Sequence, residues 1–146
     1  MGRRLTYLTG GCHSYSQPTP YLPVRTLLRR HWGIAATEAP ASMVVKVRQR
    51  LTEVGMAPEE WAPYLFRLLE AATDTDPLAT VSPQEMRART TEALVQLALH
   101  GALQLPLVLE VENLHWIDPS SEEVLTVLAE RLAYAAILLL TTARPG

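Results

Sequence analysis

The strongest constraint in this chain is a pair of short, almost purely apolar runs, Leu107-Val108-Leu109-Glu110-Val111 and Ile137 to Thr142, separated by a helical pattern of about 14 residues. Runs this rich in branched side chains read as strands of a covered sheet. Two such strands joined through a helix form a parallel βαβ unit, because a parallel return needs a long crossover, and that crossover is right-handed. The expected class is therefore α/β, with a parallel sheet and flanking helices. In such sheets ligands gather beyond the carboxyl ends of the strands. That rule points to Glu112, Asn113, His115 and Asp118 after the first run, and to Arg144 after the second.

The rest of the chain supplies helices and one more strand. Leu5 to Thr9 is a short β-branched and aromatic run that stops at Gly10-Gly11, read as a turn leading into a loop. Thr19-Pro20 has the form of a helix start, and Val24, Leu27, Leu28 and Trp32 then recur at helical spacing up to Gly33. A second helix from about Ala41 to Gly55 carries Val44, Val47, Leu51 and Val54 on one side. A third begins at Pro58, with Trp61, Leu65, Leu68, Leu69 and Ala72 as its buried stripe, and is ended by Asp74 to Pro77. Ser82-Pro83-Gln84-Glu85 is a capping-box start for a helix running to about Gly101, and Asp118-Pro119 starts the crossover helix.

Composition narrows the class. With 146 residues, 48% hydrophobic and 19% charged, the chain has the profile of one ordinary globular domain, which excludes disorder and collagen. A formal charge of -2 supplies no overall basic field, so no direct nucleic-acid contact is expected. The longest apolar run, Leu132 to Leu140, falls short of the roughly 18 to 20 residues a bilayer span needs, so no membrane association is expected. Cys12 is the single cysteine and cannot form an internal disulfide, which suits a reducing, cytoplasmic setting. Met1-Gly2-Arg3-Arg4-Leu5-Thr6 fits a myristoylation pattern and, with Cys12, a lipoprotein signal, but Leu5 to Leu8 is too short for an h-region and reads better as strand.

An acidic residue directly after a buried strand is costly unless it meets a cation or several donors. Glu112 is such a residue. One use for it is to hold Mg²⁺, usually through water, while Arg144 on the neighbouring strand neutralises phosphate charge. The plainer account makes Glu112 a loop acid, Asp118 an N-cap and Arg144 a surface charge, and spacing alone leaves both accounts open.

The segment Pro106 to Ser121, PLVLEVENLHWIDPSS, resembles the Walker B segment of STAND-type ATPases within the AAA-related P-loop group. TYLTGGCHSYSQPTPYLPVRTLL near the N-terminus and LLLTTARPG at the C-terminus resemble the same module in the same order. The module is found in multidomain bacterial regulators, including adenylate/guanylate cyclase-associated and LuxR-like ones and those with helical repeats. The resemblance implies a partial P-loop NTPase-like sheet of three neighbouring strands, ATP and Mg²⁺ as cofactors, and ATP hydrolysis in the complete protein. It makes Glu112 the Mg²⁺-serving acid and Arg144 the sensor of the terminal phosphate. Asn113 stands where many relatives carry a water-activating acid, and His115 and Asp118 belong to the same nucleotide-binding signature. Asparagine can orient a water but cannot take its proton, which favours slow hydrolysis or a nucleotide-held switch.

No G-x-x-x-x-G-K-[ST] phosphate loop occurs in the 146 residues. In the family that segment lies upstream of the strand near Leu5. The expected organisation is thus a single partial ATPase domain over 1–146, with a helical insertion at about 20–103 and a Walker B to sensor region at about 105–146. Its expected partners are the missing ATPase segments or an attached output domain, whether cyclase, helical repeats or DNA-binding domain. The missing first strand would pair beside Ile137 to Thr142, leaving that apolar strand an open edge. The alternative is a noncatalytic remnant or interaction fragment that does not bind ATP alone, since the loop that holds the triphosphate is absent.

Other features carry less. Gly10-Gly11 lacks the third glycine and lysine of a phosphate loop. Cys12, His13, His31, His100 and His115 have no zinc spacing. Arg25, Arg29, Arg30, Lys46, Arg48 and Arg50 form basic helix faces suited to solvent or to a neighbouring segment, and Trp116 reads as a packed side chain. Ser120, His115 and Asp118 crowd into one turn without a nucleophile elbow, so a hydrolase triad is set aside.

Overall fold

Leu107–Glu112 forms β2, the middle strand of a three-stranded sheet flanked by β1 (Thr6–Gly11) and β3 (Ile137–Thr141). Both pairings are parallel, with Leu109 opposite Leu8 on one side and Leu139 on the other. The computed structural model describes residues 4–14, 19–71 and 77–143. Five helices surround the sheet: α1 (Leu22–Trp32), α2 (Pro40–Glu53), α3 (Pro58–Leu68), α4 (Pro83–Gln104) and α5 (Pro119–Glu130). Among the described residues no helix is long and apolar enough to cross a membrane.

Alternation along β2 decides which face carries the core. Leu107, Leu109 and Val111 are buried against the helices, whereas Val108 and Glu110 point the other way and are half-buried. The same alternation leaves Tyr7, Leu138 and Leu140 on the second face, 53%, 53% and 41% exposed. A continuous apolar run is expected to be covered on both sides; here the described helices cover one. Among the described residues β3 is also an edge strand, as expected from the sequence.

Two sequence expectations are corrected. Gly10-Gly11 is not the turn after β1 but its last two residues, paired with Val111 and Glu112. The bare Cα of Gly10 lets α1 close in, with Leu27 Cδ1 only 3.4 Å from where a Cβ would sit. Thr19 does not cap the following helix. The cap of α1 is Tyr21, held in the left-handed region at φ 62°, with Pro23 in the first turn. The other starts stand where the sequence places them: the Ser82 side chain accepts from Glu85 N at 3.1 Å, and Asp118 caps α5.

α2 and α3 pack together and reach the sheet layer through α4. Met43, Val47 and Leu51 of α2 meet Ala62, Leu65 and Leu68 of α3 and Ala93, Leu94 and Val95 of α4 in one buried cluster. Ala72 and most of the Asp74 to Pro77 stop lie outside the described residues. The link from α1 to α2 is polar. Lys46 Nζ donates to Gly33 O at 2.8 Å and to Glu38 Oε1 at 2.9 Å, while Ser42 Oγ donates to Glu38 Oε2 at 2.7 Å and Ala35 N to Oε1 at 3.2 Å.

The Lys46 hydrogen bond, then those from Ser42 and Ala35, hold the Glu38 carboxyl down at about 2, from 4.5. A carboxylate with a lowered native value stabilises the fold fully above its unfolded value and loses that contribution as pH falls toward the native one. Glu38→Gln therefore destabilises most near neutral pH, and its deficit in urea unfolding shrinks as pH drops from 4.5 to about 2. A deficit that stays constant over that window contradicts the ion-paired role.

Candidate functional site

The carboxyl end of β2 is where the chain changes direction most sharply. The ladder extends one step past each neighbour: Cys12 N donates to Glu112 O at 3.0 Å and Thr142 N to Val111 O at 3.0 Å. Asn113 then takes a left-handed conformation, φ 58° and ψ 49°, which Asn tolerates better than other residues with a side chain. The reversal is stitched to the end of β3, because Leu114 N donates to Thr142 O at 2.7 Å and Asn113 N to Thr142 Oγ1 at 3.2 Å. A 3₁₀ turn, Leu114–Trp116, carries the chain across to α5.

This geometry sorts the candidate residues by exposure. Glu112 and Asn113 are exposed at the open end of the sheet. His115 is half-buried, its ring 5.1 Å from that of Trp116, centroid to centroid. Asp118 lies beneath them and is 1% exposed. Arg144 lies outside the described residues, two positions past the Thr142 that bonds Asn113. The structure thus brings Glu112, Asn113 and His115 together along one short turn, and places Asp118 under it.

Asp118 Oδ2 accepts from Ser121 N and from Tyr21 N, each at 2.9 Å. The first bond is the α5 cap; the second fixes the start of α1, 97 residues away in sequence. Oδ1 is buried with no hydrogen-bond partner among the described residues. Asp118 therefore acts visibly as a cap and tie. Cys12, fully buried, is close enough to matter electrostatically: burial, then the negative charge of Asp118, pushes its thiol up. A protonated, enclosed thiol is a poor nucleophile. Sequence reasoning passed over Tyr21 and Thr142, and only Thr142 had a signal, its place at the end of an apolar strand.

Among the described residues no group of three or more His, Cys, Asp or Glu can enclose a metal ion. The exposed Glu112 carboxylate fits a different arrangement, in which it would accept hydrogen bonds from the waters of a hydrated Mg²⁺ rather than enclose the ion. Asn113 beside it adds an amide that accepts and donates hydrogen bonds but carries no removable proton.

An α/β chain with a three-stranded parallel sheet and its polar residues at the strand ends is consistent with a P-loop NTPase-like fold. The chain belongs to the AAA ATPase domain family, a family of P-loop ATPase modules, whose model matches residues 1–140. It is similar to an uncharacterized protein of Rhizobium meliloti (strain 1021), 32% identical over 82 residues. The match covers 56% of this chain and 8% of that protein. No solved structure matches the chain.

Replacing Asp118 by Ala removes an N-cap and strands a second amide. The expected cost is about 2 to 3 kcal/mol in urea unfolding. Asp118→Asn keeps one acceptor oxygen and is expected to cost less than half as much. Equal losses for the two variants contradict the dual-acceptor role.

Proposed function

We propose that these residues form the Walker B to sensor part of a STAND-type regulatory ATPase module. In this reading the phosphate loop comes from another segment of a longer, cytoplasmic polypeptide, and residues 20–103 are a helical insertion. The carrying observation is the exposed Glu112-Asn113 pair at the end of the central strand, tied to the end of β3 through Thr142. Three further features favour a partial module. No G-x-x-x-x-G-K-[ST] sequence occurs in the 146 residues. One face of the sheet and the β3 edge are uncovered by described residues. The curated relative is much longer than this chain, which spans 8% of it.

The roles follow from chemistry. Mg²⁺ bound with ATP supplies charge neutralisation at the terminal phosphates. Glu112 would hold the ion's water shell at the strand end, and Arg144, a few positions past β3 in the sequence, would neutralise charge on the terminal phosphate. Asn113 orients a water by hydrogen bonding without accepting its proton, so turnover is slow and the nucleotide state serves as a switch. His115 shapes the turn beside the nucleotide, and Asp118 supports it from beneath. The switch acts on an attached output domain, a cyclase, a set of helical repeats or a DNA-binding domain.

The missing phosphate loop favours one alternative, a noncatalytic remnant that does not bind ATP. In the complete polypeptide, Glu112→Gln and Arg144→Ala are each expected to lower ATP turnover at least about tenfold. Unchanged ATP-dependent behaviour in Arg144→Ala overturns the assignment. Calorimetric titration of the 146-residue chain with Mg-ATP addresses the alternative, since submillimolar binding excludes the remnant reading.

A further inference from the structure

Under the covered face of the sheet, between α1 and the α4–α5 pair, lies a cavity of about 180 Å³. The Tyr21–Asp118 bond puts the start of α1 at the carboxyl ends of the strands, so α1 runs back along them. The cavity follows it. At one end the rim carries His31, which is exposed, with Gly101 and Leu105. At the other the cavity closes on Ser121, 1% exposed, between Val111 and Ile117. Its walls are apolar, Leu27, Leu97 and Val124 among them, and no Asp, Glu, Lys or Arg lines it.

Two deficits meet in this space. The Ser121 amide is bonded to Asp118, yet its buried hydroxyl oxygen has no hydrogen-bond partner among the described residues. A buried hydroxyl without a partner is unfavourable. The apolar walls around an unfilled volume also lack dispersion contacts on one side. One kind of occupant corrects both: an apolar body that fills the channel and a single uncharged polar group that reaches the closed end. An ion does not qualify at the closed end, because Ser121, Val111 and Ile117 there offer no countercharge. For scale, an engineered apolar cavity of about 150 Å³ binds benzene.

We propose that this cavity is a binding site for a small neutral amphiphile, whose aliphatic or aromatic body lies between α1 and α4 and whose hydroxyl or amide group hydrogen-bonds Ser121 Oγ. Val111 and Ile117 bracket the Glu112 turn and wall the same closed end, so the occupant touches the residues that support the candidate site. The site is independent of the nucleotide reading.

The test is titration of the 146-residue chain with 1-octanol, followed by methyl NMR and calorimetry. Saturable binding of one molecule is expected, with contacts from octanol methylenes to Leu27, Leu97 and Val124. Ser121→Ala is expected to keep or raise thermal stability without octanol and to weaken octanol binding about threefold to tenfold. Ala98→Phe fills the channel and is expected to abolish binding. If that variant does not fold, the wild-type contacts decide. The proposal is overturned by an absence of saturable binding up to the solubility of octanol, by full affinity in Ser121→Ala, or by contacts confined to Leu138 and Leu140 on the uncovered face.

Discussion

One carboxylate oxygen ties together the starts of two helices that are distant in sequence. Asp118 Oδ2 receives the amides of Ser121 and Tyr21, so it sets where α5 begins and where α1 begins. Both starts lie at the carboxyl end of the sheet, one after β2 and the other after β1. A charge buried this deeply is tolerated only with good donors, and two helix-start amides are suitable ones because both carry the positive end of a helix dipole. The direction of α1, and with it the channel between α1 and α4, depends on this tie. Tyr21 is held at a positive φ that a tyrosine rarely adopts, a conformation that the surrounding contacts must sustain.

The candidate site depends on the same arrangement from above. With α5 anchored, the chain must leave β2 and cross to Asp118 in a few residues, and the left-handed Asn113 followed by a 3₁₀ turn accomplishes that. The reversal leaves Glu112 and Asn113 exposed at the strand end and turns His115 and Trp116 alongside. Thr142 fixes the turn to β3 with both its carbonyl and its hydroxyl. Burial of Asp118 and exposure of Glu112 are thus two results of one connection, which separates an acid that holds the fold from an acid left at the surface.

Much of this was legible in the sequence because the signals were local. Branched apolar runs mark β2 and β3, and Ser82-Pro83 and Asp118-Pro119 mark the starts of α4 and α5 through side chains that reach an amide three residues on. Glu112 and Asn113 could be singled out by position alone. Gly10-Gly11 misled because glycine commonly ends a strand, whereas here its missing Cβ admits Leu27. Thr19-Pro20 misled because the cap that operates is Tyr21, whose partner is 97 residues distant. The second face, which the described residues leave uncovered, was equally hidden, since an apolar run has the same letters whether one side of it is packed or both. Glu110, half-buried in mid-strand and accepting from Thr9 Oγ1 at 3.3 Å, is the one residue of the run that hints at an incompletely covered face.

The central proposal is that this family member, in which the described residues leave one sheet face and the β3 edge open and whose 146 residues hold no phosphate loop, works as part of a longer ATPase polypeptide. The most direct measurement is the intact mass of the endogenous protein, captured from its own cells with an antibody against this segment. The account predicts a species far heavier than 16.2 kDa that carries a phosphate loop, and a species of 16.2 kDa alone would contradict it.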